Sequence, residues 1–473
     1  MSWQKTTMAL SLTVSERTSR VVATDLDISI LGECRYPSPL TSRLPENAVH
    51  YVGQADRVLL DDQMSHVQRL EGALSQAPSF ELAGPRHKVF FDPKQLRCGI
   101  VTCGGLCPGL NNVVRGIVLA LWQSYGVEQI LGFRYGYAGL ARRHGHGPVR
   151  LNPTVVADIH HEGGTVLGTS RGNQDPREIV DRLDELGVSV LFVIGGDGTF
   201  RGAMTLVDEI RRRRLPIGII GVPKTIDNDI HFIDRSFGFE TAFSAAVDVI
   251  RSAHVEANGT HDCISIVKLM GRHSGFIACH AALASTDVDI VLIPELPIRL
   301  EGANGLLSYL ERRLEDESHA LIVVAEGAGQ DLFEHEPKHV GQAADASGNA
   351  KLGDIGVVLR DRISAHFQRK EVEVTVKYID PSYYIRSVPA APPDSVYCWN
   401  LARNAVHAGM AGNTDMLIGR WHGRFVHVPM PLATRFRKQV NTEGDLWTAV
   451  LEATGQPKFL ETEPEAPAVR VAG

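Results

Sequence analysis

Val188-Ser189-Val190-Leu191-Phe192-Val193-Ile194-Gly195-Gly196-Asp197-Gly198-Thr199 joins an apolar run to a glycine-rich turn that carries one carboxylate. An unbroken apolar run of this length predicts a strand covered on both faces, as in parallel sheets. The same beat recurs on either side. Cys98-Gly99-Ile100-Val101-Thr102 precedes a segment with Val113, Val114, Ile117, Val118, Leu121 and Trp122 on one helical face. Apolar runs at 217–222, 263–268, 290–293, 320–325 and 372–377 follow, separated by helix-length segments. Alternating strands and helices predict a doubly wound α/β architecture.

The 473 residues, 44% hydrophobic and 22% charged, have room for two or three domains. A net charge of -7 gives no bulk attraction to nucleic acid or anionic membrane, so a phosphate ligand must be held by clustered donors. Seven cysteines without a Cys-x-x-Cys pair argue against a disulfide scaffold and for a reducing compartment. Cys98, Cys103 and Cys107 lack a nearby histidine or fourth cysteine, so they read as packing residues rather than a metal set. No apolar h-region opens the chain and no 18-residue apolar run occurs, which predicts a cytoplasmic protein.

Residues 1–95, broken by prolines, read as an N-terminal extension that packs on the following core. The polar stretch 330–351 reads as a surface loop, and the chain from about Thr454 as a mobile tail. Arg211 to Arg214 read as a solvated helix end that complements the dipole, not as a nucleic-acid patch.

Three turns, two of them glycine-rich, follow predicted strands, where ligands of open α/β sheets bind. Gly104 to Asn112 would let backbone approach a phosphate and present a helix N-terminus to it. Gly195 to Thr199 places Asp197 between glycines, a position suited to Mg²⁺ on a nucleotide. An aspartate that caps the next helix is the bland alternative. Pro223-Lys224-Thr225-Ile226-Asp227-Asn228-Asp229 sets two carboxylates beside a hydroxyl and a lysine, as a site that takes a proton from an alcohol requires. An ordinary model-peptide pKa of about 3.9 would leave Asp227 ionised at neutral pH.

With these turns the chain resembles ATP-dependent 6-phosphofructokinases, in particular the plant and trypanosomatid-like group. The motifs Gly-Gly-Leu-Cys-Pro-Gly-Leu-Asn, Gly-Thr-Ser-Arg-Gly, Gly-Gly-Asp-Gly-Thr, Pro-Lys-Thr-Ile-Asp-Asn-Asp and Met-Gly-Arg stand in order at 104–111, 168–172, 195–199, 223–229 and 270–272. Glu326, the run Tyr378 to Arg386 and His407 to Gly412 extend the resemblance over roughly 96–430.

That resemblance implies phosphoryl transfer from ATP, with Mg²⁺, to fructose 6-phosphate. Gly105, Arg171, Gly172, Gly196, Asp197, Gly198, Thr199 and Lys224 would line the nucleotide, with Asp197 on the metal. Asp227 would take the proton of the sugar's 1-hydroxyl, assisted by Thr225, Asp229 and Arg272. Thr225, Ile226, Asp227, Met270, Gly271, Arg272 and Glu326 would hold the sugar. Tyr383, Tyr384, Ile385 and Arg386 would reach its 6-phosphate. The expected organisation is an N-terminal extension and two doubly wound, mostly parallel-sheet domains with the active site between them. A nucleotide-binding unit at 96–237, completed by about 387–453, would face a sugar-phosphate unit at 238–386. A dimer or tetramer of the chain, under allosteric control, is also expected.

Cys263 stands where bacterial members place an arginine that reaches a neighbouring subunit's sugar phosphate, so that contact does not carry over. Gly198 leaves space for the α-phosphate of ATP, whereas pyrophosphate-dependent relatives have a second aspartate there. Lys224 is typical of pyrophosphate users, yet the plant-like group pairs it with the glycine, and ATP is the expected donor. The further alternatives are a pyrophosphate-dependent enzyme, a kinase of the NAD or lipid type, and a non-catalytic regulatory subunit.

Overall fold

The computed structural model describes residues 21–45, 49–68, 77–172, 174–335 and 351–457. Two sheets organise them. The chain enters the larger sheet through β1 (Arg57–Leu59), β2 (Ser79–Leu82), β3 (Arg97–Thr102), β4 (Gln129–Phe133), β5 (Val149–Leu151), β6 (Val190–Gly195) and β7 (Gly218–Pro223). It then builds the smaller sheet from β8 (Cys263–Leu269), β9 (Ile290–Leu292), β10 (His319–Ala325) and β11 (Thr375–Ile379). Finally it returns to the larger one with β12 (Met416–Trp421) and β13 (Arg424–Pro429).

The strand orders are β1-β2-β13-β12-β7-β6-β3-β4-β5 and β9-β10-β8-β11. The centre of the larger sheet, β12 to β4, is parallel, and its edges are antiparallel. The smaller sheet is parallel throughout. The register explains the unbroken apolar runs. Ile100, Phe192, Ile220 and Met416 stand side by side and enter one core, while Val101, Val193 and Leu417 enter the core on the opposite face. Both faces are dry, so alternation would leave polar groups unpaired.

Helix α1 (Leu110–Leu119) covers one face of the larger sheet, and α2 (Pro176–Glu185) and α3 (Asp197–Arg213) the other. On the smaller sheet α4 (Phe239–Asn258) and α5 (Phe276–Ser285) cover one face, and α6 (Leu306–Glu317) and α7 (Ile355–Arg369) the other. The short α8 (Ser382–Ser387) leads into α9 (Pro392–Met410), which lies beside α1. Helix α10 (Asp445–Thr454) buries Trp447 and Val450 with α5 against the smaller sheet.

The structure refines several sequence expectations. Part of the stretch expected as an extension is sheet: β2 pairs onto β13 and β1 onto β2, and Phe80 packs edge-on against Phe232 and Trp421. The return to the larger unit ends before Asp445, because α10 belongs to the smaller sheet's core. The chain is still pinned just beyond Thr454, where the Gln456 side chain accepts from the Val291 N–H at 2.7 Å and donates to its carbonyl at 3.3 Å. Within 330–351, Gln330–His335 form a helical turn, and 336–350 lie outside the described residues, as do 458–473 of the expected tail. The arginine run is tied internally: Arg212 and Arg213 hold Glu209, and Arg211 holds Asp415 at 3.1 Å. Among the described residues no helix is long and apolar enough to cross a membrane.

Candidate active site

All three turns lie at carboxyl ends of neighbouring parallel strands, and they meet. Cys103, after β3, donates its N–H to Ile194 of β6 at 2.9 Å. Gly104 adopts a φ of 86° and donates to the Ser170 carbonyl at 3.0 Å. The positive φ favours glycine at Gly104, and a Cβ there would crowd Nζ of Lys224 at 3.0 Å. The pairing with Ser170 carries Arg171 and Gly172 to the cleft wall.

Gly196 precedes α3 in an extended conformation and Asp197 is the helix's first residue, so the carboxylate stands where the helix presents free N–H groups. Its oxygens meet Nε of Arg201 at 3.2 Å, and one lies 3.6 Å from Arg437. Gly198 lines the cleft, and a Cβ added there would meet nothing within 4 Å. The Thr199 carbonyl accepts the Tyr137 hydroxyl at 2.8 Å.

Beyond β7, Lys224 crosses to the first turn and donates to the Gly105 carbonyl at 2.8 Å. Burial lowers its pKa, and Arg171 adds to the effect. The Thr225 hydroxyl donates to Asp229 at 2.5 Å, and Asn228, at a φ of 55°, accepts the Ser236 N–H at 3.0 Å. These bonds fix a tight loop that leaves Asp227 facing the cleft. Oδ2 of Asp227 accepts the backbone N–H of Arg272 at 3.4 Å, and its carbonyl accepts the Ser274 hydroxyl at 3.0 Å. Burial pushes the Asp227 carboxyl well above the usual range, and the charges of Asp229 and Glu326 push it further. The ordinary value expected from sequence is therefore corrected upward, since an ionised carboxylate here loses water and faces two others.

The opposite wall comes from the smaller sheet. β8 leads into Met270-Gly271-Arg272, and Gly271, at a φ of 135°, turns the chain so that Met270 and Arg272 both line the cleft. Glu326, after β10, donates its N–H to Leu269 at 2.8 Å, and burial raises its carboxyl pKa while Arg272 opposes the rise. Arg386 reaches the wall from α8, with Nε donating to the Ser382 carbonyl at 3.2 Å.

A cleft of about 470 Å³ thus gathers Gly105, Arg171, Gly172, Gly196 to Thr199, Lys224 to Asp227, Asp229, Met270, Arg272, Glu326 and Arg386. Four expected residues are not on its wall: Gly271, which only turns the chain between Met270 and Arg272, and Tyr383, Tyr384 and Ile385. Tyr383 and Tyr384 are 85% and 51% exposed, and Ile385 is buried in the core shared by α4 and α5, because on this short helix only Arg386 turns to the cleft. The structure adds Tyr137, Ser170, Arg201 and Arg437. Arg201 could have been found one turn after Asp197. Arg437 carried no such signal; its strap reaches the site because Lys438 donates its N–H to the Asp229 carbonyl at 2.9 Å.

Among the described residues no three His, Cys, Asp or Glu side chains are grouped to hold a metal. A cation held by one carboxylate plus donor phosphates fits such a site, since Mg²⁺ is commonly bound by one or two carboxylates and substrate phosphates.

Comparison with known proteins identifies the family. Residues 97–409 match the family model described as phosphofructokinase. An ATP-dependent 6-phosphofructokinase of Amycolatopsis methanolica is 54% identical over 437 residues, covering 92% of this chain and 95% of that protein. One of Borreliella burgdorferi is 47% identical, covering 92% and 97%, and one of Trypanosoma brucei brucei is 42% identical, covering 92% and 88%. A solved pyrophosphate-dependent phosphofructokinase of Marinobacter aquaeolei superposes with a TM-score of 0.62 at 17% identity, covering 78% of this chain and 92% of that one. With the family model matched over residues 97–409 and relatives 42–54% identical nearly end to end, the chain belongs to the phosphofructokinase family.

Proposed function

We propose that the chain transfers the γ-phosphoryl group of ATP to the 1-hydroxyl of fructose 6-phosphate, giving fructose 1,6-bisphosphate and ADP. The observation that carries this reading is the meeting of the Asp197 and Asp227 turns in one cleft whose far wall holds Arg386. In the transfer, O1 of the sugar bonds to the γ-phosphorus, the bond to the β–γ bridging oxygen breaks, and the hydroxyl proton passes to Asp227. The raised proton affinity of Asp227 suits that role.

Lys224, Arg171 and Arg272 surround the path of the moving group with positive charge, and phosphoryl transfer needs positioning and neutralisation above all. Asp197 would hold Mg²⁺, which supplies charge neutralisation on the donor phosphates when bound. Thr225, Ile226, Met270, Gly271 and Glu326 position the sugar, and Arg386 takes its 6-phosphate through a guanidinium matched to the anion. Gly198 leaves the cleft open where a longer donor must lie. Action in glycolysis in the cytoplasm, as an allosterically controlled homodimer or homotetramer, belongs to the same reading.

A coupled assay for fructose 1,6-bisphosphate with ATP and pyrophosphate side by side tests donor and acceptor together. Turnover with ATP is expected to dominate; turnover with pyrophosphate alone, or none with fructose 6-phosphate, overturns the reading.

A further inference from the structure

Lys268 stands on β8, two residues before the Met270-Gly271-Arg272 turn, yet it does not line the cleft. It is only 8% exposed, and its ammonium is held 3.0 Å from Oδ2 of Asp354 and 3.0 Å from Oδ2 of Asp380, over the ring of Tyr378. A buried ammonium is costly to desolvate and persists only where partners satisfy it. Here both partners belong to other elements.

Asp354 caps α7, accepting the Gly356 N–H at 3.1 Å, and also accepts the Tyr378 hydroxyl at 2.8 Å. Asp380 follows β11 and accepts both the N–H of Ser382, at 3.0 Å, and its hydroxyl. The Ser382 carbonyl then accepts Nε of Arg386 at 3.2 Å. An unbroken chain of polar contacts therefore runs from Lys268 through Asp380 and Ser382 to the guanidinium on the cleft wall. Without Lys268, Asp354 and Asp380 would repel each other, and the turn that starts α8 would lose its anchor.

We propose that Lys268 is a positioning residue: by clamping Asp380 to Asp354 it fixes the start of α8 and so aims Arg386 at the phosphate end of the acceptor. The inference rests on the reading of Arg386 as the acceptor-phosphate ligand. Lys268 thereby governs affinity for the sugar phosphate and leaves the donor side, built on the other sheet, untouched.

The test is steady-state kinetics on the full chain with ATP and fructose 6-phosphate varied separately. Lys268→Met should raise KM for fructose 6-phosphate by about tenfold or more, the size of effect that outer partners of ligating groups carry. KM for ATP should stay near wild type, and Lys268→Arg should recover part of the loss. Arg386→Gln should raise the same KM, and the Lys268→Met/Arg386→Gln double variant should be little worse than Arg386→Gln alone, as residues acting in series behave. A raised KM in Arg386→Gln with a wild-type KM in Lys268→Met, or additive losses in the double variant, overturns the positioning role alone. An unchanged KM in Arg386→Gln overturns the assignment of Arg386 and the inference with it. Should Lys268→Met fail to fold, Asp380→Asn, which keeps the pair with Asp354, decides by the same measurements.

Discussion

Arg272 donates its backbone N–H to Oδ2 of Asp227 across 3.4 Å, so the smaller sheet touches the carboxylate that the larger sheet presents. The contact helps hold a group whose pKa is raised by burial, Asp229 and Glu326. A base must be ionised to accept a proton, so activity should rise with pH through that raised value. The expected kcat/KM profile for fructose 6-phosphate loses activity on acidification well above pH ~4, the ordinary carboxylate midpoint. A midpoint near the ordinary value in a pH-rate series would contradict the geometry.

The same shift sets a stability effect of defined sign. A carboxyl whose folded pKa lies above its unfolded one favours the protonated fold, and that contribution is lost as pH rises through the folded pKa. Asp227→Asn should therefore melt higher than wild type at alkaline pH, by roughly 1 °C for each 1 kcal/mol relieved. The gap should narrow toward about pH 5, and calorimetry at several pH values measures it. The variant should also lose several orders of magnitude in kcat, which separates stability from function at one position.

Gly198→Asp places a carboxylate in open space beside Asp197, since a Cβ there meets nothing within 4 Å. The fold should tolerate it, with a melting temperature near wild type. Turnover with ATP should fall about 100-fold or more, as expected when a fixed like charge faces a transferring phosphate. Comparing initial rates with ATP and with pyrophosphate then reads the donor side directly: the ratio should move toward pyrophosphate.

Arg437 lies 3.6 Å from Asp197 and 3.7 Å from Asp229, a cation shared by two carboxylates from different turns. Arg437→Met should reduce kcat by about tenfold to a hundredfold, because both carboxylates lose a nearby positive charge. Arg437→Lys should recover only part, since an ammonium is a point charge where a guanidinium spans two acceptors. Wild-type kinetics in both variants would remove Arg437 from the active site.

Much of this was legible in the residues, for physical reasons that also mark where legibility ended. The strand-turn-helix units around Asp197 and Asp227 could be read because glycines and carboxylates at the ends of apolar runs have few structural uses. β1 and β2 could not, since two short strands at a sheet edge leave little periodicity. Arg437 arrives from a strap whose course is set by backbone bonds to Asp229, which no local pattern encodes. The direction of Tyr383 and Tyr384 depended on a single helical turn, where one residue of offset moves a side chain from cleft to solvent.

The grip of Gln456 on Val291 has a consequence for how the protein keeps to itself. β9 is the rim of the smaller sheet, and a rim strand is a template for any passing backbone. One side-chain amide answers both the N–H and the carbonyl of Val291, standing in for the strand that would otherwise have to come from another molecule. A chain that ends before Gln456 should uncover that template and self-associate, visible as rising light scattering on mild heating, whereas the intact chain carries its own stopper.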